Sequence, residues 1–549
     1  MDEIQVGDQQ TLAEAFEKAD NMLMKRYISN LCDYNIIPLA DEIKINNVSN
    51  FTRLFKINRV VYEKEEDILD KLASCYNALY ACGGSVILMI NSDGSNIDYY
   101  LGTRAEEGYI ATCQSVLSKA IKGNFPGSEV YLLKNNATES VVESIFESNY
   151  ENRKKSMAAI SGVSSFRDSY YESQKEGFVQ GIEKLVDAMR GEKYSVVVIA
   201  DPISQNIMDT IQNGYEELYS NLTPFGSSEL NFSANESTAV TKGITTGFSK
   251  TVNENLTKTQ GYTTGTTKNY STSSNDGFAF LFSVGSSSTA GHSEMWNETG
   301  SEAKTTGTSN METEQKQESE TDTKGSTRGI QIKFQNKSVS NLLDKIDEQL
   351  VRLKECRDIG MWNCATYIIS DDVQTTKVVA STYQALMRGE NSSVENAAIN
   401  IWSEKNQQSE FEAYLKKLTH PLIDISKNDL IAYVTPTSLI SAKELTIQAG
   451  LPQKSVPGLP VIEYASFGRE VAQQNDSHPD IYLGRIFHMG KEEALDVTVD
   501  LQSLASHTFI TGSTGSGKSN TIYKLLAELN QKDVKFLVIE PAKGEYKNI

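Results

Sequence analysis

A glycine-rich segment at residues 510–521, with the sequence ITGSTGSGKSNT, constrains the fold of this chain more than any other feature. Within it, Gly512, Gly517, Lys518 and Ser519 have the spacing G-x-x-x-x-G-K-[ST]. Glycines at these positions allow backbone N–H groups to close around a phosphate, and the helix that follows directs its positive end toward the anion. The lysine can reach the β- and γ-phosphates of a nucleotide, and the serine hydroxyl can complete the shell of a Mg²⁺ ion. The spacing therefore predicts a phosphate-binding loop.

The sequence on both sides of the loop has the strand–loop–helix–strand order that such a loop requires. Residues 507–510 (HTFI) and 534–539 (VKFLVI) are short apolar runs, which are typical of buried strands, and residues 521–529 have helical spacing. A glycine-rich turn without a ligand would rarely occur between these elements. The context thus favours a nucleotide site over a structural turn.

The bulk composition excludes several classes of protein. The 549 residues carry a formal net charge of −20, which argues against a protein that coats nucleic acid with a basic surface. The six cysteines are scattered without a C-x-x-C motif, which favours free thiols in a reducing cytosol over disulfides or a zinc site. The sequence contains neither an amino-terminal apolar segment nor an apolar run of about 18 residues, so we predict a cytoplasmic protein without a membrane span.

Hydrophobic patterning divides the chain into segments of different character. Residues 51–135 alternate strands and helices, with a hairpin at residues 85–103, and residues 194–200 and 363–370 are further buried strands. The fold class that follows is multidomain, with α/β and α+β domains ahead of a P-loop domain. The predicted segments are an α+β domain (1–160), an α/β sandwich (161–225 with 329–450), a Ser/Thr/Gly-rich insertion or arm (226–328), a Pro/Gly linker (451–460) and the start of the P-loop domain (461–549).

Two features of the sandwich domain and its insertion allow more than one interpretation. Asp201 and Asp371 each follow a predicted strand, where we expect capping residues rather than a carboxylate pair. The composition of the insertion is typical of a disordered segment. Apolar residues at every fourth position from Ile244 to Leu256 favour instead an ordered arm that pairs with neighbouring subunits, and a membrane-inserting hairpin is a third alternative.

Three segments of the carboxyl-terminal part resemble the HerA/FtsK superfamily of hexameric P-loop ATPases, and in particular its HerA-like branch. They are residues 481–486 (IYLGRI), residues 507–521 around the loop, and residues 536–546 (FLVIEPAKGEY). Many ATPases share the loop alone, whereas its combination with the Gly-Glu-Tyr segment at this spacing is far more specific. The resemblance implies the start of a RecA-like domain and a ring-forming motor that moves a polymer, usually double-stranded DNA, through a central pore.

The resemblance also implies roles for individual residues. ATP and Mg²⁺ would be the cofactors, with Ser519 as the metal ligand. Lys518, Glu540 and Glu545 would be catalytic, the two glutamates by positioning Mg²⁺ or water. Because a complete domain of this kind needs roughly 150–250 residues, we expect the domain to continue beyond Ile549 and this chain to bind nucleotide without hydrolysing it. The nucleotide-binding residues would be Gly512, Ser513, Thr514, Gly515, Ser516, Gly517, Lys518, Ser519 and Asn520.

The expected partners follow from the same resemblance and from the residues ahead of the loop. We expect a homo-oligomer in the form of a hexameric ring, with DNA as the polymer and other proteins bound through the amino-terminal domains. Two alternatives remain open. One is a secretion or assembly motor that acts on protein cargo, which the acidic charge favours; the other is an oligomerisation scaffold with a regulatory ATPase. Basic pore loops would favour DNA, whereas apolar or aromatic pore loops would favour protein.

Overall fold

The computed structural model describes residues 20–21, 23–63, 67–147, 155–166, 180–226, 337–403, 407–425, 433–464, 471, 480–540 and 546. They belong to two compact units, named here unit 1 (Met1–Val60, Asp67–Asn124 and Glu129–Val461) and unit 2 (Val61–Glu66, Phe125–Ser128 and Ile462–Ile549). Residues 329–336 of the predicted sandwich domain, and the predicted insertion apart from its first residue, lie outside the described residues. Among the residues that are described, no helix is both long enough and apolar enough to cross a membrane.

The strands and helices of the described residues have the following bounds. The strands are β1 (Asn35–Ile36), β2 (Thr52–Glu63), β3 (Ser85–Asp93), β4 (Ile97–Arg104), β5 (Glu129–Leu132), β6 (Ser156–Ser161), β7 (Lys193–Pro202), β8 (Met361–Ser370), β9 (Ala398–Trp402), β10 (Ile423–Asp424), β11 (Tyr433–Val434), β12 (Ser438–Ser441), β13 (Val461–Tyr464), β14 (Asp480–His488) and β15 (Lys491–Asp500). The α-helices are α1 (Asp41–Ile45), α2 (Ile68–Ala81), α3 (Ile110–Asn124), α4 (Asn135–Ser144), α5 (Ile182–Ala188), α6 (Gln205–Gly226), α7 (Lys337–Ile359), α8 (Val373–Met387), α9 (Gln408–Lys416), α10 (Ala442–Gln448), α11 (Leu501–Ser506) and α12 (Lys518–Gln531).

A ten-stranded sheet, most of which lies in unit 1, forms the centre of the fold. Its order is β13-β2-β4-β3-β7-β8-β6-β9, with β12 paired to β8 and β5 paired to β2. The registers described within it are antiparallel, so that Met89 of β3 faces Val197 of β7, and Val197 faces Tyr367 of β8. The mixed α/β character expected from the sequence is therefore confirmed. The sheet is antiparallel, and strands from both sides of residue 160 contribute to it.

Helices cover both faces of this sheet, which explains the continuous apolar runs of its central strands. Every residue of β8 is buried, and so is every residue of β7 after Lys193. On one face α6 and α7 pack together, and their Ile211 and Ile346 share an apolar cluster with Ile199 of β7. Helices α2, α3, α8 and α10 cover the opposite face. An antiparallel strand between two helical layers has no solvent side, so it loses the usual alternation of apolar and polar residues.

The antiparallel pairing of β7 with β8 separates the two aspartates that follow predicted strands. Asp201 faces Asn363 near the start of β8, whereas Ser370, the neighbour of Asp371, faces Tyr194 at the start of β7. The two carboxylates are therefore at opposite ends of the paired strands and do not form a pair. The capping interpretation of Asp201 is wrong, because this residue lies inside β7 and is buried. The cap of α8 is Asp372, which accepts from the backbone N–H of Thr375 at 3.0 Å.

The Pro/Gly segment at residues 451–460 packs against the rest of unit 1. The Ile97 backbone N–H donates to the Pro457 carbonyl at 3.0 Å, and the Val60 N–H donates to the Pro460 carbonyl at 3.0 Å. Leu459, between the two prolines, is fully buried. Proline lacks an N–H but keeps its carbonyl acceptor, so the segment is bound through its carbonyls. Unit 1 ends one residue after this segment, at Val461.

Unit 2 contains the hairpin β14–β15 and, after α11, the loop and α12. The prediction of two strands beside the loop is wrong. Residues 507–510 and 534–539 do not pair with a strand among the described residues. Phe509 is 88% exposed and Leu537 is 86% exposed. A buried strand needs hydrogen-bonded neighbours, and without them extended apolar segments keep their side chains in solvent. A RecA-like sheet around the loop therefore remains a prediction.

Candidate nucleotide-binding site

The glycines of the loop have the conformations and the space that only glycine provides. Gly515 has φ 83° and Gly517 has φ 88°, which lie in the left-handed region. Residues with a Cβ adopt this region at a cost of about 1–2 kcal/mol each. At Gly512, a Cβ would overlap the Ser516 hydroxyl oxygen. The backbone of this loop therefore requires glycine at positions 515 and 517, whereas a side chain at position 512 would require the Ser516 side chain to move.

The Lys518 side chain closes the loop into an arc. Its Nζ donates to the Gly512 carbonyl at 2.8 Å and to the Ser513 carbonyl at 2.7 Å. The Ser516 backbone N–H donates to the same Ser513 carbonyl at 3.2 Å. An ammonium group has three donors, so one remains for a phosphate oxygen while the other two hold the arc.

Helix α12 presents its N-terminus at the end of the arc. Gly517 is its N-cap and provides no side chain that could satisfy the first N–H groups. The first turn carries no acidic residue, so no carboxylate of the helix competes with an incoming anion. Thr521 closes the first turn, because its N–H and its hydroxyl donate to the Gly517 carbonyl at 3.0 and 3.2 Å. Free N–H groups and the helix dipole together favour a phosphate here.

The hydrogen-bond donors of the loop suit a polyphosphate, whereas few protein groups near the loop could bind a metal ion. Thr514 is at the exposed tip of the arc, and Ser519 and Asn520 are exposed in the first turn of α12. The described residues contain no group of three or more His, Cys, Asp or Glu side chains that could hold a metal ion. A Mg²⁺ ion would therefore be bound mainly by phosphate oxygens and water, with Ser519 as its protein ligand, as P-loop sites generally bind it.

Of the two predicted acidic residues, only Glu540 lies among the described residues. Glu540 is half-buried at the end of the extended segment that begins at Val534. No hydrogen bond or ion pair joins Glu540 to the loop among the described residues. Glu545 lies outside the described residues. Their roles, like the roles of the individual loop residues, remain predictions.

The residues that fix α12 on the hairpin were not identified from the sequence. Lys524 Nζ lies 4.9 Å from the centre of the Tyr482 ring on β14 and 2.7 Å from Glu528 Oε1. Leu526 of the same helix is buried. The Lys–Glu spacing of four residues on a helix indicates an ion pair, but the aromatic partner on a separate strand gives no local signal. These contacts hold the N-terminus of α12 in a fixed direction relative to β14.

A buried polar cluster in unit 1 also brings titratable side chains together. The Ser85 hydroxyl donates to Asp201 Oδ1 at 2.6 Å, and Arg104 Nη2 donates to the same oxygen at 2.5 Å. His420 Nε2 lies 3.7 Å from Asp201 Oδ2, and its Nδ1 lies 2.6 Å from the Tyr367 hydroxyl. Because the serine bonds to the carboxylate and not to the imidazole, the cluster lacks the order of a nucleophilic triad. Ser85 and Arg104 both donate to one buried carboxylate, which is the pattern of a structural network.

Known proteins resemble the carboxyl-terminal part of the chain. A family model described as "Helicase HerA, central domain" matches residues 481–549. The DNA translocase FtsK of Lactiplantibacillus plantarum is 33% identical over 135 residues, which are 23% of this chain and 17% of that relative. The DNA translocase FtsK of Streptococcus pyogenes serotype M1 is 34% identical over 112 residues, which are 19% of this chain and 13% of the relative. The chain thus spans less than a fifth of the length of these curated relatives. Together with the loop geometry, these matches show that the carboxyl-terminal part of the chain is similar to the HerA/FtsK superfamily of P-loop ATPases.

Proposed function

We propose that this chain is part of an ATP-driven motor that moves double-stranded DNA, and that it acts as a homohexameric ring. The observation that carries the nucleotide part is the arc from Gly512 to Gly517, closed by Lys518 at the N-terminus of α12. The polymer is inferred from the relatives, which are named DNA translocases. The ring is inferred from the superfamily resemblance.

In this proposal the loop binds the β- and γ-phosphates of ATP through backbone N–H groups and the free donor of Lys518. Bound Mg²⁺ supplies neutralisation of the phosphate charge. The ammonium of Lys518 remains close to the transferred phosphoryl group, where negative charge accumulates as the bond to the leaving oxygen breaks. Glu540 and Glu545 are the candidates for positioning the attacking water.

A motor for protein cargo is the second candidate, and one observation favours it. The chain has a formal net charge of −20, which repels DNA phosphates unless basic groups are concentrated along a channel. The two candidates therefore differ in the polymer that stimulates ATP turnover.

Nucleotide binding is tested by equilibrium titration of the chain with a fluorescent ATP analogue in the presence of Mg²⁺. Lys518→Ala removes a charge-assisted donor, so we expect affinity to fall by about 10–100-fold. Lys532→Ala is the matched control, because Lys532 is an exposed lysine at the opposite end of α12. Equal affinity of the wild-type and Lys518→Ala chains would contradict the nucleotide site.

The polymer is tested by ATP turnover of the protein with and without duplex DNA over a range of salt concentrations. DNA should stimulate turnover, and the stimulation should fall steeply with salt because phosphate contacts release counterions. An absence of stimulation at every salt concentration would contradict the DNA proposal, and stimulation by a protein cargo instead would support the second candidate.

A further inference from the structure

Two cysteine sulfurs meet on the helical face of unit 1. Cys82 directly follows α2, and Cys113 is in the first turn of α3. Their Sγ atoms are 3.3 Å apart. Cys113 is fully buried, whereas Cys82 is half-exposed. A disulfide bond is about 2.05 Å long, so the sulfurs need to approach by little more than an ångström to form one.

A glycine pair after Cys82 creates this contact. Gly83 has φ 72°, which turns the chain sharply after α2. A Cβ on Gly84 would lie 3.0 Å from the Cys113 sulfur and 2.8 Å from the Thr103 hydroxyl oxygen. The absence of a side chain at position 84 therefore leaves the space that the Cys113 sulfur occupies. The segment Cys82-Gly83-Gly84 thus places one thiol against the other.

The remaining four cysteines lack such a neighbour. In the described part of the chain, which includes all six, no other two sulfurs lie within hydrogen-bonding distance of each other. Cys75, Cys356 and Cys364 are buried, and burial raises the pKa of each thiol. Cys32 is half-exposed like Cys82, but burial and Asp33 raise the pKa of its thiol.

We propose that Cys82 and Cys113 are an oxidation site, at which hydrogen peroxide converts the two thiols into an intramolecular disulfide. The Cys82 thiolate attacks one peroxide oxygen, the O–O bond breaks, and the departing hydroxide takes a proton to become water. The resulting sulfenic acid is attacked by the Cys113 sulfur, which forms the S–S bond. The sulfenic hydroxyl leaves as a second water with the Cys113 proton. Two thiols are oxidised and one peroxide is reduced to two waters.

The two sulfurs have unequal roles in this sequence. The hydrogen bond between the two sulfurs lowers the pKa of Cys82 to about 7, although partial burial opposes it. The same interaction, together with burial, raises the pKa of Cys113. Cys82 is therefore the thiolate at neutral pH and is the one that peroxide can reach, while Cys113 resolves the sulfenic acid from inside. The site does not depend on the proposed motor function.

The test uses the folded 549-residue chain, treated with hydrogen peroxide at pH 7, alkylated, and digested without reductant for mass spectrometry. We expect one cross-linked peptide pair that contains Cys82 and Cys113, lacks two hydrogens and is separated by dithiothreitol. In the reduced chain, iodoacetamide should modify Cys82 at least about tenfold faster than Cys32, its match in exposure. Cys32→Ser should retain the cross-link.

Cys113→Ser separates the two steps, because it leaves Cys82 without a resolving thiol. Peroxide should then give a sulfenic acid at Cys82 that dimedone traps, with no cross-link. Oxidation of the wild-type chain without a Cys82–Cys113 cross-link, or with cross-links only between chains, would overturn the proposal. If Cys113→Ser does not fold, the cross-link of the wild-type chain is the test: its presence supports the proposed disulfide, and its absence overturns it.

Discussion

Arg104 Nη2 lies 2.5 Å from Asp201 Oδ1, and both side chains are buried at one end of the ten-stranded sheet. Arg104 ends β4 and Asp201 is next to the end of β7, with β3 between them. Ser85 of β3 faces Arg104 in register and donates its hydroxyl to Asp201. The ion pair therefore joins two strands across a third, and a shared hydrogen bond includes the middle strand.

Removal of one partner should be costly because the other charge remains buried. Asp201→Asn leaves the Arg104 guanidinium without its counter-charge, and we expect the free energy of unfolding to fall by about 3–5 kcal/mol. Urea denaturation of the chain measures this change. Asp98→Asn is the control, since Asp98 forms an exposed pair with Lys56 at 2.7 Å and should cost less than about 1 kcal/mol. Similar costs for the two variants would show that the Arg104–Asp201 pair is not desolvated.

His420 should make stability depend on pH between about 4 and 6.5. Burial lowers the pKa of His420 to about 4; Asp201 opposes this shift, and Arg104 adds to it. The unfolded chain therefore binds a proton that the folded chain excludes, so stability should decrease as the pH falls through this window, by about 3 kcal/mol in total. Below about pH 4 this loss is complete.

His420→Gln should remove most of that pH dependence, as measured by urea denaturation at a series of pH values. Tyr367→Phe is the matched control, because it deletes the hydroxyl that contacts His420 Nδ1 but keeps the buried imidazole. We expect this control to be less stable than wild type while retaining the slope. An unchanged slope in His420→Gln would assign the pH dependence to other groups.

Gly102 lies where two strands approach too closely for a side chain. It faces Leu54 in the register of β2 with β4, and an added Cβ would overlap the Arg53 carbonyl oxygen and come within 2.5 Å of Leu54 Cδ2. Gly102→Ala should lower the free energy of unfolding by about 1–3 kcal/mol, because backbone must move. Gly123→Ala is the control, since Gly123 is in α3 with open space around it, and alanine there should be neutral or stabilising. Equal stability of the two variants in urea would contradict the strand register.

Gly515→Ala tests the conformation of the nucleotide loop without removing a functional group. Gly515 has φ 83° and no atom near the position of a Cβ, so alanine introduces only backbone strain. The strain of about 1–2 kcal/mol should favour a relaxed loop and lower affinity for the fluorescent ATP analogue by about 5–30-fold. Gly108→Ala, at an open position without a left-handed φ, should bind like wild type. Unchanged affinity in Gly515→Ala would indicate a different bound conformation of the loop.

Local periodicity predicted many elements closely. The strand expected at residues 363–370 lies within β8, and the hairpin expected at residues 85–103 is β3 with β4. These predictions are confirmed because the apolar spacing that identifies each element is visible within a short stretch of the sequence. The strands expected at 507–510 and 534–539 failed for the opposite reason, since an apolar run becomes a buried strand only when neighbouring strands pair with it.

The amino-acid sequence by itself determined the phosphate-binding loop, because glycine spacing, one lysine and a following helix specify that arc within ten residues. Only the tertiary structure decided which distant side chains meet. Ser85, Arg104, Asp201 and His420 come together through strand order, and Cys82 reaches Cys113 through the packing of α2 on α3. The physical reason is that strand pairing and helix packing join residues far apart in the chain, whereas periodicity records only which face of an element is apolar.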